Sequence, residues 1–221
     1  MRQSLFFTLG AIVGALAAPV AQSNKVQPGD ITSKRMTSSI RRSNQVIARQ
    51  SKPCFVVGDE ELPEETQGIA DNLAASVQCD AANPTIDGVP DVSSGGMTFS
   101  SIDFNKAENG ETPLQFAVNL FQTADQDGGK LADSNLEQFQ NALNDYLATE
   151  AGIRSVGGNL AIKAPKFFLQ MQVSRIQTAQ GNPPTEAGLQ VDHLRDKVLK
   201  NAPREDQALL DQVTQLATVV A

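Results

Sequence analysis

His193 is the one histidine of this chain, and Cys54 and Cys79 are its two cysteines. Ser-His or Cys-His catalysis needs an imidazole beside an oxygen or sulfur nucleophile. His193 stands between Asp192 and Leu194, with Arg195, Asp196, Lys197 and Lys200 close by, the setting of a solvated helix face. Two cysteines and one histidine are fewer ligands than a closed four-ligand zinc site needs. Carboxylate pairs could hydrolyse glycosides, and acids are plentiful. The aromatic faces on which sugars stack are not: there is no Trp and a single Tyr, Tyr146. Segment 125–137 has the outline of a calcium loop, which needs oxygens at positions 1, 3 and 5, Gly at 6 and an acid at 12. Counted from Asp125, those later places fall on Gly129, Lys130 and Leu136. The segment therefore reads as a helix stop, a turn and a helix cap. Gly157-Gly158 lacks the pattern and the Lys of a phosphate loop. The acids Asp59, Glu60, Glu61, Glu64 and Glu65 read as a solvated helix entry. No catalytic residue, metal or cofactor is expected.

The elements that would carry these residues are mostly helical. Cys54-Phe55-Val56-Val57 reads as a short strand. Ile69, Leu73 and Val77 recur at i, i+4 and i+8, which predicts a helix running down to Cys79. Pro63 fits its first turn, and Glu64 and Glu65 favour its positive end. Residues 80–96, with Pro84, Gly88, Pro90, Gly95 and Gly96, read as a long turn-rich connection. Residues 97–104 read as a strand with a bulge.

Beyond them, Thr112-Pro113-Leu114-Gln115 is a capping box that opens a helix with Leu114, Ala117, Val118 and Phe121 on one stripe. Ser134 with Glu137 is a second such box, followed by Leu136, Phe139, Leu143, Tyr146 and Leu147, with Gly152 as the stop. Residues 163–180 carry both strand and helix spacing; Pro165 before the run and Gly181 after it favour helix. Val191, Leu194 and Val198 mark another helix. Pro203 starts a last one, so the two form a helical hairpin. The fold class expected is mainly α, with one or two short strands, over a single helical domain 53–221.

The N-terminus is of another kind. Arg2 precedes an apolar run of small residues and Phe6, Phe7, Leu9, Ile12, Val13 and Leu16, too short for a bilayer that needs ~20 residues. Ala15-Leu16-Ala17 supplies a small-x-small cleavage site, so residues 1–17 read as a secretory signal peptide cut after Ala17. Residues 18–52 read as a disordered basic pro-segment or linker, with the dibasic pairs Lys34-Arg35 and Arg41-Arg42 as processing sites. In an oxidising compartment an even pair of cysteines closes, so Cys54 and Cys79 are expected to be bridged. Such a loop contributes about 3–4 kcal/mol on chain-entropy grounds.

Charge is divided too. Residues 53–150 hold 18 acids and two bases, and residues 151–221 hold eight bases and six acids. So acidic a body repels nucleic acid and anionic lipid, and stable membrane insertion is not expected. Arg154, Lys163, Lys166 and Arg175 are the basic side chains available to meet the acidic part.

Taken together, the leader, the dibasic stretch and several short motifs resemble small secreted proteins of filamentous fungi. The motifs are Pro53-Cys54-Phe55-Val56-Val57-Gly58, Glu150-Ala151-Gly152-Ile153-Arg154-Ser155, Lys163-Ala164-Pro165-Lys166-Phe167-Phe168-Leu169 and Ala179-Gln180-Gly181-Asn182. The resemblance spans residues 1 to about 200. It implies secretion and an effector-like role at a host or cell-wall surface, and no reaction. The function expected is that of a non-enzymatic secreted interaction protein with a protein or cell-surface partner. The alternative is an extracellular carrier of an apolar small molecule, a fatty acid or sterol, between amphipathic helices.

Overall fold

A computed structural model describes residues 52–107 and 110–221. The expected signal peptide and the sites at Ala17, Lys34, Arg35, Arg41 and Arg42 lie outside these residues. The described residues hold six α-helices and a small antiparallel sheet, which is the mainly α class with minor β content. The helices are α1 (Glu64–Leu73), α2 (Pro113–Leu120), α3 (Leu136–Ser155), α4 (Lys163–Ala179), α5 (Val191–Asn201) and α6 (Gln207–Thr218). The strands are β1 (Gln78–Pro84), β2 (Pro90–Ser94) and β3 (Met97–Thr98), in that spatial order.

The two longest helices, α3 and α4, pack on each other and form the centre. α1 and β2 lie against α3, while α2 and α5 lie against α4. This explains the double periodicity of residues 163–180. Six consecutive residues, Met171 to Ile176, are buried, so an apolar pattern of either period can be read from a helix covered nearly all round. Phe99 and Phe121 meet the ring of Tyr146 edge to face, at centroid distances of 5.3 and 5.8 Å. The Tyr146 hydroxyl donates to the Ile102 carbonyl at 2.8 Å, so the buried phenol is satisfied.

Several expectations are corrected. Segment 54–57 is not a strand but a turn and extended loop, held by α3 rather than by a ladder. α1 stops at Leu73, and Cys79 sits in β1 opposite Val92. The connection expected at 80–96 is instead largely β1 and β2. Gly95 and Gly96, with φ of 57° and 84°, form the two-residue turn between Ser94 and its partner Met97. Positive φ at both positions is what such a hairpin turn needs, and Gly supplies it without strain. The strand expected over 97–104 ends at Thr98 and gives way to short 3-10 turns. At α3 the cap is Asn135, whose side chain accepts from the Gln138 N–H, while Ser134 Oγ accepts from the Ala124 N–H. Gly152 is no stop, since α3 runs through it to Ser155. A Cβ there would lie 2.5 Å from a Val89 methyl and 2.6 Å from the Phe55 carbonyl oxygen, so Gly152 permits close approach. Pro203 lies in the turn before α6, which starts at Gln207.

The remaining helices follow the expected pattern. Thr112 caps α2 by accepting from the Gln115 N–H, with Pro113 at its first turn. The α2 stripe Leu114, Ala117, Val118 and Phe121 is buried. α5 and α6 pack on each other and α5 packs on α4; Leu194, Val198 and Val213 are buried.

Candidate functional site

Cys54 and Cys79 form a disulfide with their Cα atoms 6.0 Å apart. The loop that follows Cys54 is laced to the C-terminal end of α3. The Gly58 N–H donates to Ser155 Oγ at 2.9 Å, and the Glu60 N–H donates to the Ser155 carbonyl at 2.9 Å. Ser155 Oγ in turn donates to the Gly152 carbonyl at 2.7 Å. A Cβ at Gly58 would lie 1.9 Å from the Ser155 carbonyl oxygen, so no other residue fits without moving the loop. Two of the short sequence motifs, 53–58 and 150–155, are thus the two halves of one docking contact.

The second of these motifs also faces the third. Glu150 on α3 is buried, yet it carries a carboxylate. Arg154, one turn on, donates to Glu150 Oε1 from Nε at 3.0 Å and from Nη2 at 2.7 Å. Lys166 on α4 reaches Oε2 at 3.1 Å, with side-chain exposures of only 8% and 7% for the pair. Burial alone would raise the Glu150 carboxyl, but Lys166 and Arg154 outweigh it and hold it below the usual carboxylate range. The Lys166 ammonium also lies 3.5 Å above the centre of the Phe167 ring, a cation–π contact.

Around this triad is a pocket of about 230 Å3 between α1, α3, α4 and α5. Its charged lining has five cations, Arg154, Lys163, Lys166, Lys197 and Lys200, against two carboxylates, Glu65 and Glu150. Among the described residues Lys163, Lys197 and Lys200 make no ion pair. Ile69, Leu147 and Phe167 supply a partly buried apolar wall. Surplus positive charge thus gathers in a concavity of a domain that is acidic as a whole. The arrangement can attract and hold an anion. Of the basic residues expected to meet the acidic part, Arg154 and Lys166 are brought together here, Lys163 lines the same pocket, and Arg175 is elsewhere.

Arg175 is fully buried and anchors a second network. It donates to the Val219 carbonyl, to Thr123 Oγ1, to Gln172 Oε1 and to Asp125 Oδ2, at 3.0, 3.2, 2.6 and 2.9 Å. Those partners come from α4, the 123–126 turn and the segment after α6, so the residue staples three parts of the chain. Asp125, the first position of the rejected calcium loop, is therefore held by a guanidinium. Among the described residues no group of three or more His, Cys, Asp or Glu side chains is placed to hold a metal.

A third polar cluster has no such partner. Asp145 on α3 is fully buried, and neither of its oxygens has a hydrogen-bond partner; the same holds for Thr149 Oγ1, one turn on. Burial, with a smaller contribution from the Asp91 carboxylate, pushes the Asp145 carboxyl up to about 8. At neutral pH this side chain is a neutral acid. Nothing in the sequence singles it out, because its neighbours Asn144 and Tyr146 look like any helix flank.

The residues first weighed for chemistry are accounted for separately. His193 is exposed on α5. Asp59, Glu60, Glu61, Glu64 and Glu65 are exposed ahead of and at the start of α1. Phe168 and Leu169 are fully buried, which leaves Phe167 as the member of that apolar run that reaches a pocket. Among the described residues no helix is long and apolar enough to cross a membrane.

Neither a curated protein nor a solved structure gives a significant match to this chain. Residues 56–221, from the loop laced to α3 through the end of α6, match the family described as Domain of unknown function (DUF7143), and the chain belongs to that family.

Proposed function

We propose that this is a secreted, non-enzymatic interaction protein of the kind found in filamentous fungi, acting at a host or cell-wall surface through its cation-lined pocket. The observation that carries the reading is the unpaired trio Lys163, Lys197 and Lys200 around the buried Glu150 triad. An anionic group on the partner is what such a lining recognises. The disulfide supports an oxidising compartment. Both cysteines are spent in it and His193 stands in solvent, so thiolate and imidazole catalysis have no reagent to draw on. A carrier of fatty acids would use the same lysines for the carboxylate, with Ile69, Leu147 and Phe167 as the only apolar wall that this pocket offers the chain.

The test is expression of the full chain in a secreting fungal host. The extracellular protein is expected to lack residues 1–17 and to bind isolated cell walls in a salt-sensitive manner. The double variant Lys197→Glu, Lys200→Glu is expected to stay in the supernatant. An intact Met1 on extracellular protein, or equal wall binding by the variant, overturns the reading.

A further inference from the structure

We infer that the pocket is built for a small phosphomonoester, held as its dianion by Lys163, Lys197 and Lys200. This rests on the reading of the pocket as an anion-recognition site.

Charge is the first argument. Glu150 is consumed by Arg154 and Lys166. What remains for a ligand is three ammonium groups, opposed by Glu65, which is exposed on α1. Against that net charge of two a monoanion would leave half unmatched, whereas a phosphomonoester carries about −1.5 to −2 near neutral pH.

Donor geometry is the second. Flat carboxylates are read best by the planar fork of a guanidinium. The one arginine of the pocket has turned Nε and Nη2 onto Glu150. The three free cations are ammoniums, point charges with three donors each and no preferred plane. They come from two helices: Lys163 opens α4, and Lys197 and Lys200 lie in the last turns of α5. Donors that line one pocket from separate elements suit a tetrahedral oxyanion with three terminal oxygens.

Size and wall are the third. A pocket of about 230 Å3 has room for a phosphoryl group and a short body. Ile69, Leu147 and the Phe167 ring would flank that body, and Thr66 and Asn201 offer it neutral hydrogen-bonding groups.

The experiment is calorimetric titration and thermal shift on the purified extracellular protein at constant ionic strength. The probes are glycerol phosphate, methyl sulfate, succinate and acetate. Glycerol phosphate is expected to bind at least about tenfold more tightly than the other three. Its affinity should fall several-fold from pH 7.5 to 5.5, as the phosphate takes up its second proton near pH 6, with methyl sulfate unmoved. Lys197→Gln with Lys200→Gln, both on the helix surface without ion pairs, should weaken binding about tenfold or more, and Lys130→Gln outside the pocket should not. Succinate or acetate binding as tightly as glycerol phosphate, lost in the double variant, overturns the phosphate assignment and leaves the anion site standing. Binding of neither a probe nor phosphatidic acid vesicles, or binding indifferent to the double variant, overturns both. Sedimentation with phosphatidic acid vesicles, without affinity for glycerol phosphate, overturns the soluble ester as the ligand.

Discussion

Replacing Asp145 by Asn should stabilise this protein at neutral pH, and by an amount that grows with pH. Asp145 is fully buried with both oxygens unpartnered, and its carboxyl is lifted from an ordinary 3.8 to about 8. In the unfolded chain the group is ionised at pH 7; in the folded chain it is protonated. Folding therefore takes up a proton between those two values, and stability falls as pH rises through that window, levelling off above about 8. At roughly 1.4 kcal/mol per pH unit, the uptake costs up to ~4 kcal/mol at pH 7 and up to ~2 kcal/mol at pH 5. Asn has nearly the shape of the neutral acid and leaves a similar polar group buried, so it removes the proton term and little else. The gain of Asp145→Asn over the parent should thus widen by up to about 3 kcal/mol between pH 5 and pH 7. Glu150 and Asp125 are both held below the ordinary carboxylate range, so their contributions are lost only in more acid solution. Urea unfolding of both proteins at about pH 5, 6, 7 and 8 reads the difference directly. Parallel stability profiles for the two proteins would refute the reasoning.

Three further outcomes are expected. Glu150→Gln strips the counter-charge from Lys166 and Arg154 in a buried setting and should cost about 3–5 kcal/mol in urea unfolding; a loss below about 1 kcal/mol would show that the two cations reach water. Gly58→Ala places a methyl against the Ser155 carbonyl and should cost about 1–3 kcal/mol, with faster hydrogen exchange at Glu60, whose N–H is held by the Ser155 carbonyl; an unchanged melting temperature would mean the loop shifts freely. Cys79→Ser should lower stability by about 3 kcal/mol under oxidising conditions and leave the parent and variant alike under reduction.

The helices were legible because each buries one stripe, and a stripe leaves a period in the residues. α2, α5 and α6 show it plainly, down to the Thr112 cap. α4 blurs it, because burial on nearly every side leaves no polar stripe to set the phase. β1 and β2 were hidden for the opposite reason. β1 is almost wholly exposed and β2 begins with Pro90, so neither shows an apolar run, and Pro84 and Pro90 read as breakers. The pocket was half legible. Charged residues inside otherwise apolar motifs, Glu150 beside Ala151 and Ile153, and Lys166 beside Phe167 and Phe168, were the signal. That they meet across 16 positions is a property of helix packing, which no local pattern records. Lys197 and Lys200 looked like an ordinary solvated face because their significance lies in α3 and α4 opposite. Asp145 gave no signal at all, since an acid on a helix is unremarkable until its burial is known.

The lacing of the Gly58 loop to Ser155 also sets an order of events during synthesis. The two partners are separated by 97 positions, whereas Cys54 and Cys79 are only 25 apart. When Cys79 leaves the ribosome, Ser155 at the end of α3 has yet to do so. The loop then has nothing to dock on, while both thiols are already free to meet an oxidant. The bridge is therefore free to close on a nascent chain and to hold the loop near β1 until the end of α3 arrives. Closure of the loop onto α3 then joins the first residues of the domain to its middle, which makes the Ser155 contact a late checkpoint through which every correctly assembled molecule must pass.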